Sequence, residues 1–150
     1  MAQVTFTRLT LHRACLLLVI IFTASQSYAD ALATHAQVET LARTQLMWNQ
    51  QPLPAYTTGK PEISILKFTI PAGAQLPLHR HPYANAGVIL SGVLSVYTEQ
   101  GETRHLQAGD ALIELVNIPH YGINNGDSPT VVVVFYAGEA DQAVTELVRK

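Results

Sequence analysis

Cysteine is nearly missing from this chain. Its single example among 150 residues, Cys15, stands at the head of an apolar run, whereas a lipid-modified cysteine is expected at the end of one. Beyond that run no disulfide can form and no thiolate can bind a metal, so stability has to come from an apolar core, a metal or a partner subunit. Basic charge is also scarce. Lys and Arg number nine, only 13% of residues are charged, and no basic cluster occurs, so no nucleic acid is expected as a partner. Long hydrophobic runs are lacking too. The longest candidate, Ala14 to Ala24, has eleven residues, against roughly twenty needed for a membrane-crossing helix.

That short run has a different meaning in context. Arg8 and Arg13 precede it, and Ser27-Tyr28-Ala29 follows with small residues at the first and third positions, the pattern that signal peptidase cleaves. Residues 1–29 therefore read as a signal peptide cut after Ala29, which predicts a periplasmic or secreted protein with no membrane span after cleavage. Losing Arg8 and Arg13 leaves seven basic and eleven acidic residues, a net charge of minus four. The remaining length suits one small domain.

Residues 30–60 read as a strand-and-loop lead-in. Ala31 to Trp48 fits a helix almost as well as a strand, because Thr34 and Gln37 could form a capping box, while the alternation from Val38 to Leu46 favours an opening strand. Asn49 to Lys60 is a loop broken by Pro52, Pro54 and Gly59, with Trp48 and Tyr56 able to cover a barrel mouth or to pack at an edge. Short apolar runs then alternate with turn signals, as in an antiparallel barrel rather than βαβ units. The predicted strands are 63–70, 86–90, 93–98, 104–106, 111–116, 121–123 and 130–136, and residues 138–150 are expected to close the domain with a short helix over 144–149.

Within this pattern, His79-Arg80-His81 offers two imidazoles two residues apart, which an extended chain projects to one side, with Arg80 on the other. Asn85 follows by another even step, and His120 comes from a later strand that a barrel could bring opposite. Three imidazoles suit Zn, Cu, Fe or Ni and leave coordination positions open to water or substrate. Glu114 lies in an apolar run and is expected to lose its alignment with His120 at the bend near Pro119. His105 and Arg80 read as solvated strand residues, Asp110 as a turn residue, and Tyr97 as the best candidate for a phenol in the pocket.

The spacing extends further. Gly73, His79, His81, Asn85 and Gly92 form G-x5-H-x-H-x3-N-x6-G, and Gly109, His120 and Asn124 form G-x10-H-x3-N, with sixteen residues between the two blocks. This resembles the cupin superfamily, as a small single-domain member, with three departures: Asn85 stands where the family motif has Glu, Leu115 where the second motif has Pro, and Asn117 where it has Gly. The resemblance implies an all-β, cupin-type jelly-roll β-barrel of antiparallel strands over residues 61–137, a metal held by His79, His81 and His120 with Asn85 as a fourth ligand or as a hydrogen-bonding pocket residue, and, by analogy, a homodimer.

Three imidazoles and an amide cancel none of a divalent ion's charge. Such a site is expected to attract a small anionic molecule, and loss of the hard oxygen donor argues against Mn. Arg8 and Arg13 are not a twin-arginine pair, so the chain is expected to cross unfolded and take up its metal outside the cytoplasm, which favours Zn or Cu over Fe. Two function classes follow: a metal-dependent enzyme of oxygenase or carbonyl-polarising type, and a non-catalytic small-molecule binding or sensing protein. A metal-free barrel is the third.

Overall fold

The computed structural model describes residues 37–149, and the compact unit it contains is Thr40–Lys150. The expected signal peptide over residues 1–29 lies outside the described residues. Among the described residues nine strands form two sheets: β1 (Pro61–Ile70), β2 (His79–Arg80), β3 (Asn85–Ser91), β4 (Val93–Thr98), β5 (Thr103–Gln107), β6 (Ala111–Ile113), β7 (His120–Ile123), β8 (Thr130–Glu139) and β9 (Glu146–Leu147). One sheet has the order β1-β8-β3-β6 and the other β5-β4-β7-β2-β9, with every ladder antiparallel. The chain passes back and forth between two facing sheets, the jelly-roll solution to burying one apolar face of each.

Alternation decides which residues face inward. Along β8, Thr130, Val132, Val134, Tyr136 and Gly138 are buried, and the residues between them are exposed or half-buried. The register then stacks the inner face of the first sheet in rows. Ile89 pairs with Val132, Gly87 lies between Leu112 and Val134, and Asn85 pairs with Tyr136. The lower rows join Leu94, Val96 and Leu106 of the second sheet in one apolar core. The uppermost row is polar, and it is here that the histidines arrive.

The turns follow from local chemistry. The three motif glycines, Gly73, Gly92 and Gly109, all have positive φ, and Gly92 is confined further, since a Cβ there would lie 2.8 Å from the Thr130 Cα. Asn117, in the place of the motif glycine, has φ of 61°, a left-handed conformation that Asn tolerates better than other side chains. Leu115, in the place of the motif proline, is fully buried with Met47 and Val116 in a second apolar cluster.

Two expected elements differ. No opening strand forms in the described part of the lead-in: residues 37–48 hold only an isolated bridge from Leu46 to Pro52, and Met47 turns inward instead. The C-terminal segment is a strand, not a helix. β9 pairs with β2, Val148 N–H donates to Leu78 C=O, and Glu146 holds Arg80 at 2.7 Å. An otherwise unpaired edge of β2 offers these residues backbone partners that a helix would leave unmet.

Candidate metal centre

His79 and His120 are direct cross-strand partners on β2 and β7, so their side chains project from the same face at neighbouring positions. His120 therefore comes from the adjacent strand of the same sheet, not from the opposite wall. His81 follows β2 and is fixed by a bridge to Val116. The three rings converge, with centroids 4.6 to 5.1 Å apart, and one ring nitrogen from each lies within 4.8 Å of the others. Arg80 points outward into its ion pair with Glu146.

Every ring is oriented by the backbone. Nδ1 of His79 lies 2.7 Å from Pro77 C=O, Nδ1 of His81 lies 2.9 Å from Val144 C=O, and Nδ1 of His120 lies 2.8 Å from Ile118 C=O. A carbonyl only accepts, so each Nδ1 carries a proton, and each Nε2 faces the centre of the cluster, where it donates to a carboxylate when protonated and offers its lone pair to a cation when not. β9 thus has a part in the site, since the segment leading into it supplies the carbonyl that sets His81, and Thr145 Oγ1 lies 3.2 Å from the same nitrogen.

Opposite the histidines stands the polar row of the first sheet. Asn85 is buried; its Nδ2 donates to Tyr83 C=O at 3.2 Å, and its Oδ1 has no hydrogen-bonding partner among the described residues. Next to it is a residue that the sequence reading set aside. Glu114 lies one step beyond the Ala86–Ile113 pair, where its N–H donates to Asn85 C=O at 3.1 Å, and its Oε2 reaches 3.1 Å from His81 Nε2 and 3.3 Å from His120 Nε2. The bend near Pro119 does not separate Glu114 from the histidines, because the carboxylate approaches from the facing sheet. Its side chain is 14% exposed. The signal in the sequence was an acid at an inward position of an apolar run.

The electrostatics follow from this contact. Burial works to raise the Glu114 pKa, but hydrogen bonds from His120 and His81 and their charge outweigh it, holding the carboxyl well below the usual carboxylate range. Burial works to lower His81, yet the Glu114 hydrogen bond and charge, with help from the Val144 carbonyl, leave it raised. His79 is lowered, by burial first and then by the neighbouring imidazoles, against the pull of the Pro77 carbonyl. Tyr136, whose ring centroid is 5.5 Å from that of His81, is pushed up to about 12 by burial and by the Glu114 charge.

The donor set suits a metal ion. Three Nε2 lone pairs, a carboxylate and an unpartnered buried amide oxygen gather in one layer, and acceptors so placed require a proton or a metal cation among them. Beside them is a cavity of about 50 Å³, with His79, His120 and Glu114 at its polar end and apolar residues such as Ile89, Leu112 and Val134 below. That is room for a few water-sized groups.

Other sequence candidates lie elsewhere. Tyr97 is not in the pocket: it stacks on Tyr121 at 5.3 Å, and its hydroxyl accepts from Asn125. His105 hydrogen-bonds Ser95 Oγ in the same group. Tyr56 is 84% exposed and packs against neither apolar cluster of the described residues, whereas Trp48 packs against both. Asp110 accepts from Gln107 N–H in the turn before β6.

Comparisons with known proteins agree with this architecture. Residues 66–136 match the family model described as a cupin domain. A germin-like protein 8-14 of Oryza sativa subsp. japonica is 32% identical over 82 residues, 51% of this chain and 38% of the rice protein. Among solved structures, the DMSP lyase DddQ from Ruegeria pomeroyi DSS-3 is 27% identical with a TM-score of 0.50, covering 57% of this chain and 43% of the lyase. An uncharacterized conserved protein with a double-stranded beta-helix domain from Klebsiella pneumoniae subsp. pneumoniae MGH 78578 is 22% identical with a TM-score of 0.51, covering 64% of this chain and 90% of that one. The chain thus spans less than half the length of the rice protein and of the lyase. The two glycine-bounded histidine blocks, the facing antiparallel sheets and these matches together make this a chain that carries a small cupin-type domain.

Proposed function

We propose that this domain holds one divalent transition metal ion through His79, His81 and His120 and acts as a metal-dependent enzyme on a small anionic molecule in an exported compartment. The observation that carries the reading is the common orientation of the three imidazoles, each with Nδ1 committed to a backbone carbonyl and Nε2 left for the ion. Zinc or copper is the proposed occupant. When bound, the ion supplies Lewis acidity and positive charge toward a substrate oxygen.

The residues around it have separate tasks. The Pro77, Val144 and Ile118 carbonyls fix the rings before any ligand arrives, which lowers the cost of ordering them. The apolar lower part of the cavity excludes water and limits the substrate to a few heavy atoms. Tyr136, with its pKa pushed up to about 12, keeps its phenolic proton at neutral pH. A positive centre above an apolar floor suits a small carboxylate, enolate or phenolate.

A second reading has its own support. Apart from His79, His120 and Glu114 the cavity lining carries no titratable side chain, which suits a domain that binds an anion without turning it over. Elemental analysis of protein taken from its exported compartment tests the metal, and product analysis of the metal-loaded protein with small carboxylates and carbonyl compounds separates the two classes. Absence of a stoichiometric transition metal, together with unchanged stability under chelator, would refute the site.

A further inference from the structure

We propose that Glu114 is the fourth protein ligand of the metal, so that the carboxylate missing from position 85 is supplied from the neighbouring strand. The inference rests on the three-histidine reading above and deepens it. Its basis is position. Glu114 Oε2 lies 3.1 and 3.3 Å from Nε2 of His81 and His120, the nitrogens that face the ion, not from the Nδ1 atoms that the backbone already orients. A residue that merely positioned the rings would contact Nδ1. Asn85 has no such contact, since its Oδ1 has no hydrogen-bonding partner among the described residues.

Sheet geometry explains the exchange. Asn85 and Glu114 are opposed across the β3–β6 ladder, joined by the Glu114 N–H to Asn85 C=O bond of 3.1 Å, and opposed residues of an antiparallel pair project from the same face with Cβ atoms about 5 Å apart. A Glu side chain spans that offset, so a carboxylate rooted on either strand can reach one point above the row. Gly87 leaves room beside it, a Cβ there lying 3.7 Å from Glu114 Oε1.

The chemistry changes accordingly. With Glu114 bound, a divalent site has a formal charge of plus one rather than plus two, and a hard oxygen donor returns to the set. The argument against manganese, made from Asn85 alone, then lapses. Asn85 becomes a positioning residue that ties the row to Tyr83 and leaves its oxygen to a water or hydroxyl on the incoming ligand.

Competition titration with Co²⁺ and Zn²⁺ tests this on the expressed chain and on the Glu114→Gln and Asn85→Ala variants. The expected result is one ion per wild-type chain, binding weakened more than about 100-fold by Glu114→Gln, beyond what loss of an orienting partner produces, and less than about tenfold by Asn85→Ala. Wild-type affinity in a folded Glu114→Gln variant would overturn the role of Glu114 and leave the three-histidine site standing. A wild-type chain that binds no ion would remove both. If Glu114→Gln does not fold, the wild type labelled with ¹³C at glutamate carboxyls decides: one resonance moves on zinc loading, and no movement overturns the proposal.

Discussion

Asn124 makes a sharp test of how the second histidine block is built, because replacing it by Asp changes one donor group and almost no volume. Its side chain is fully buried, and the two hydrogens of Nδ2 are shared among the carbonyls of Ile70, Pro71 and Ser128 at 2.9, 3.1 and 2.8 Å, while Oδ1 accepts from Gly126 N–H. Asn124 follows β7 in one sheet, whereas Ile70 ends β1 and Ser128 precedes β8 in the other, so this amide pins the two sheets together. A protonated Asp keeps one of the two donor hydrogens and leaves at least one buried carbonyl unmet, costing about 2 kcal/mol. An ionised Asp loses both donor hydrogens and faces three carbonyl oxygens. Each pKa unit by which the folded site resists that charge costs about 1.4 kcal/mol more, so a total of about 4 kcal/mol or more is expected at neutral pH.

The pH dependence has a definite sign. The introduced carboxyl has a folded-state pKa raised above its unfolded value of about 3.9, so the folded chain binds more protons between the two values and stability falls as pH rises through that window. Urea unfolding with chelator present, which keeps metal linkage out of the measurement, gives the difference from wild type at each pH. The penalty should grow from about 2 kcal/mol at acid pH to a plateau above the folded pKa. A penalty under about 1 kcal/mol, or one that does not change with pH, would refute the assignment of Asn124 as a three-carbonyl donor.

Three further outcomes are expected. In the Glu114→Gln background, Asn85→Glu should recover metal binding to within about tenfold of wild type, measured by the same competition titration; failure to recover would mean that the two positions do not reach one ion. Gly87→Ala adds a methyl whose nearest neighbours are Val132 at 3.4 Å, Val134 at 3.5 Å and Glu114 at 3.7 Å, so it should fold and keep its metal while binding of azide or formate to the loaded protein, followed by spectroscopy of the cobalt form, weakens. Gly92→Ala places a Cβ 2.6 Å from Thr130 Oγ1 with φ at +80°, and should lower stability by more than about 2 kcal/mol by urea unfolding, from left-handed strain together with the displaced Thr130–Val93 hydrogen bonds.

Much of the barrel is legible in the sequence because its strands alternate and its turns need particular residues. Val132, Val134 and Tyr136 declare the inward face of β8, and the motif glycines mark backbone of positive φ. Even a departure can be read afterwards: Asn117, at the motif's glycine position, has a left-handed φ of 61° that glycine and Asn both tolerate. The ends of the domain are less legible. Residues 144–149 have enough Leu, Val and Glu to suit a helix, and only the open edge of β2 and the Arg80 side chain make them a strand. Such choices depend on partners that lie over sixty residues away, which local propensity does not register.

Glu114 shows the same limit at the site itself. A linear motif records which residue types follow one another along a strand, but a metal ion senses only where donor atoms arrive in space. In an antiparallel sheet the residue across the ladder is as near as the next inward residue along the chain, so a ligand can change strands while its carboxylate stays in place. The motif then shows a loss at position 85, and the gain at position 114 looks like an acid stranded in an apolar run. The register that joins them, Ala86 to Ile113 and Gly87 to Leu112, is a tertiary fact. An inward acid on the strand that pairs with a depleted motif strand is therefore the pattern to seek, and charge balance gives the reason: a carboxylate cancels one unit of the charge that three imidazoles leave uncancelled on a divalent ion, whichever strand provides it.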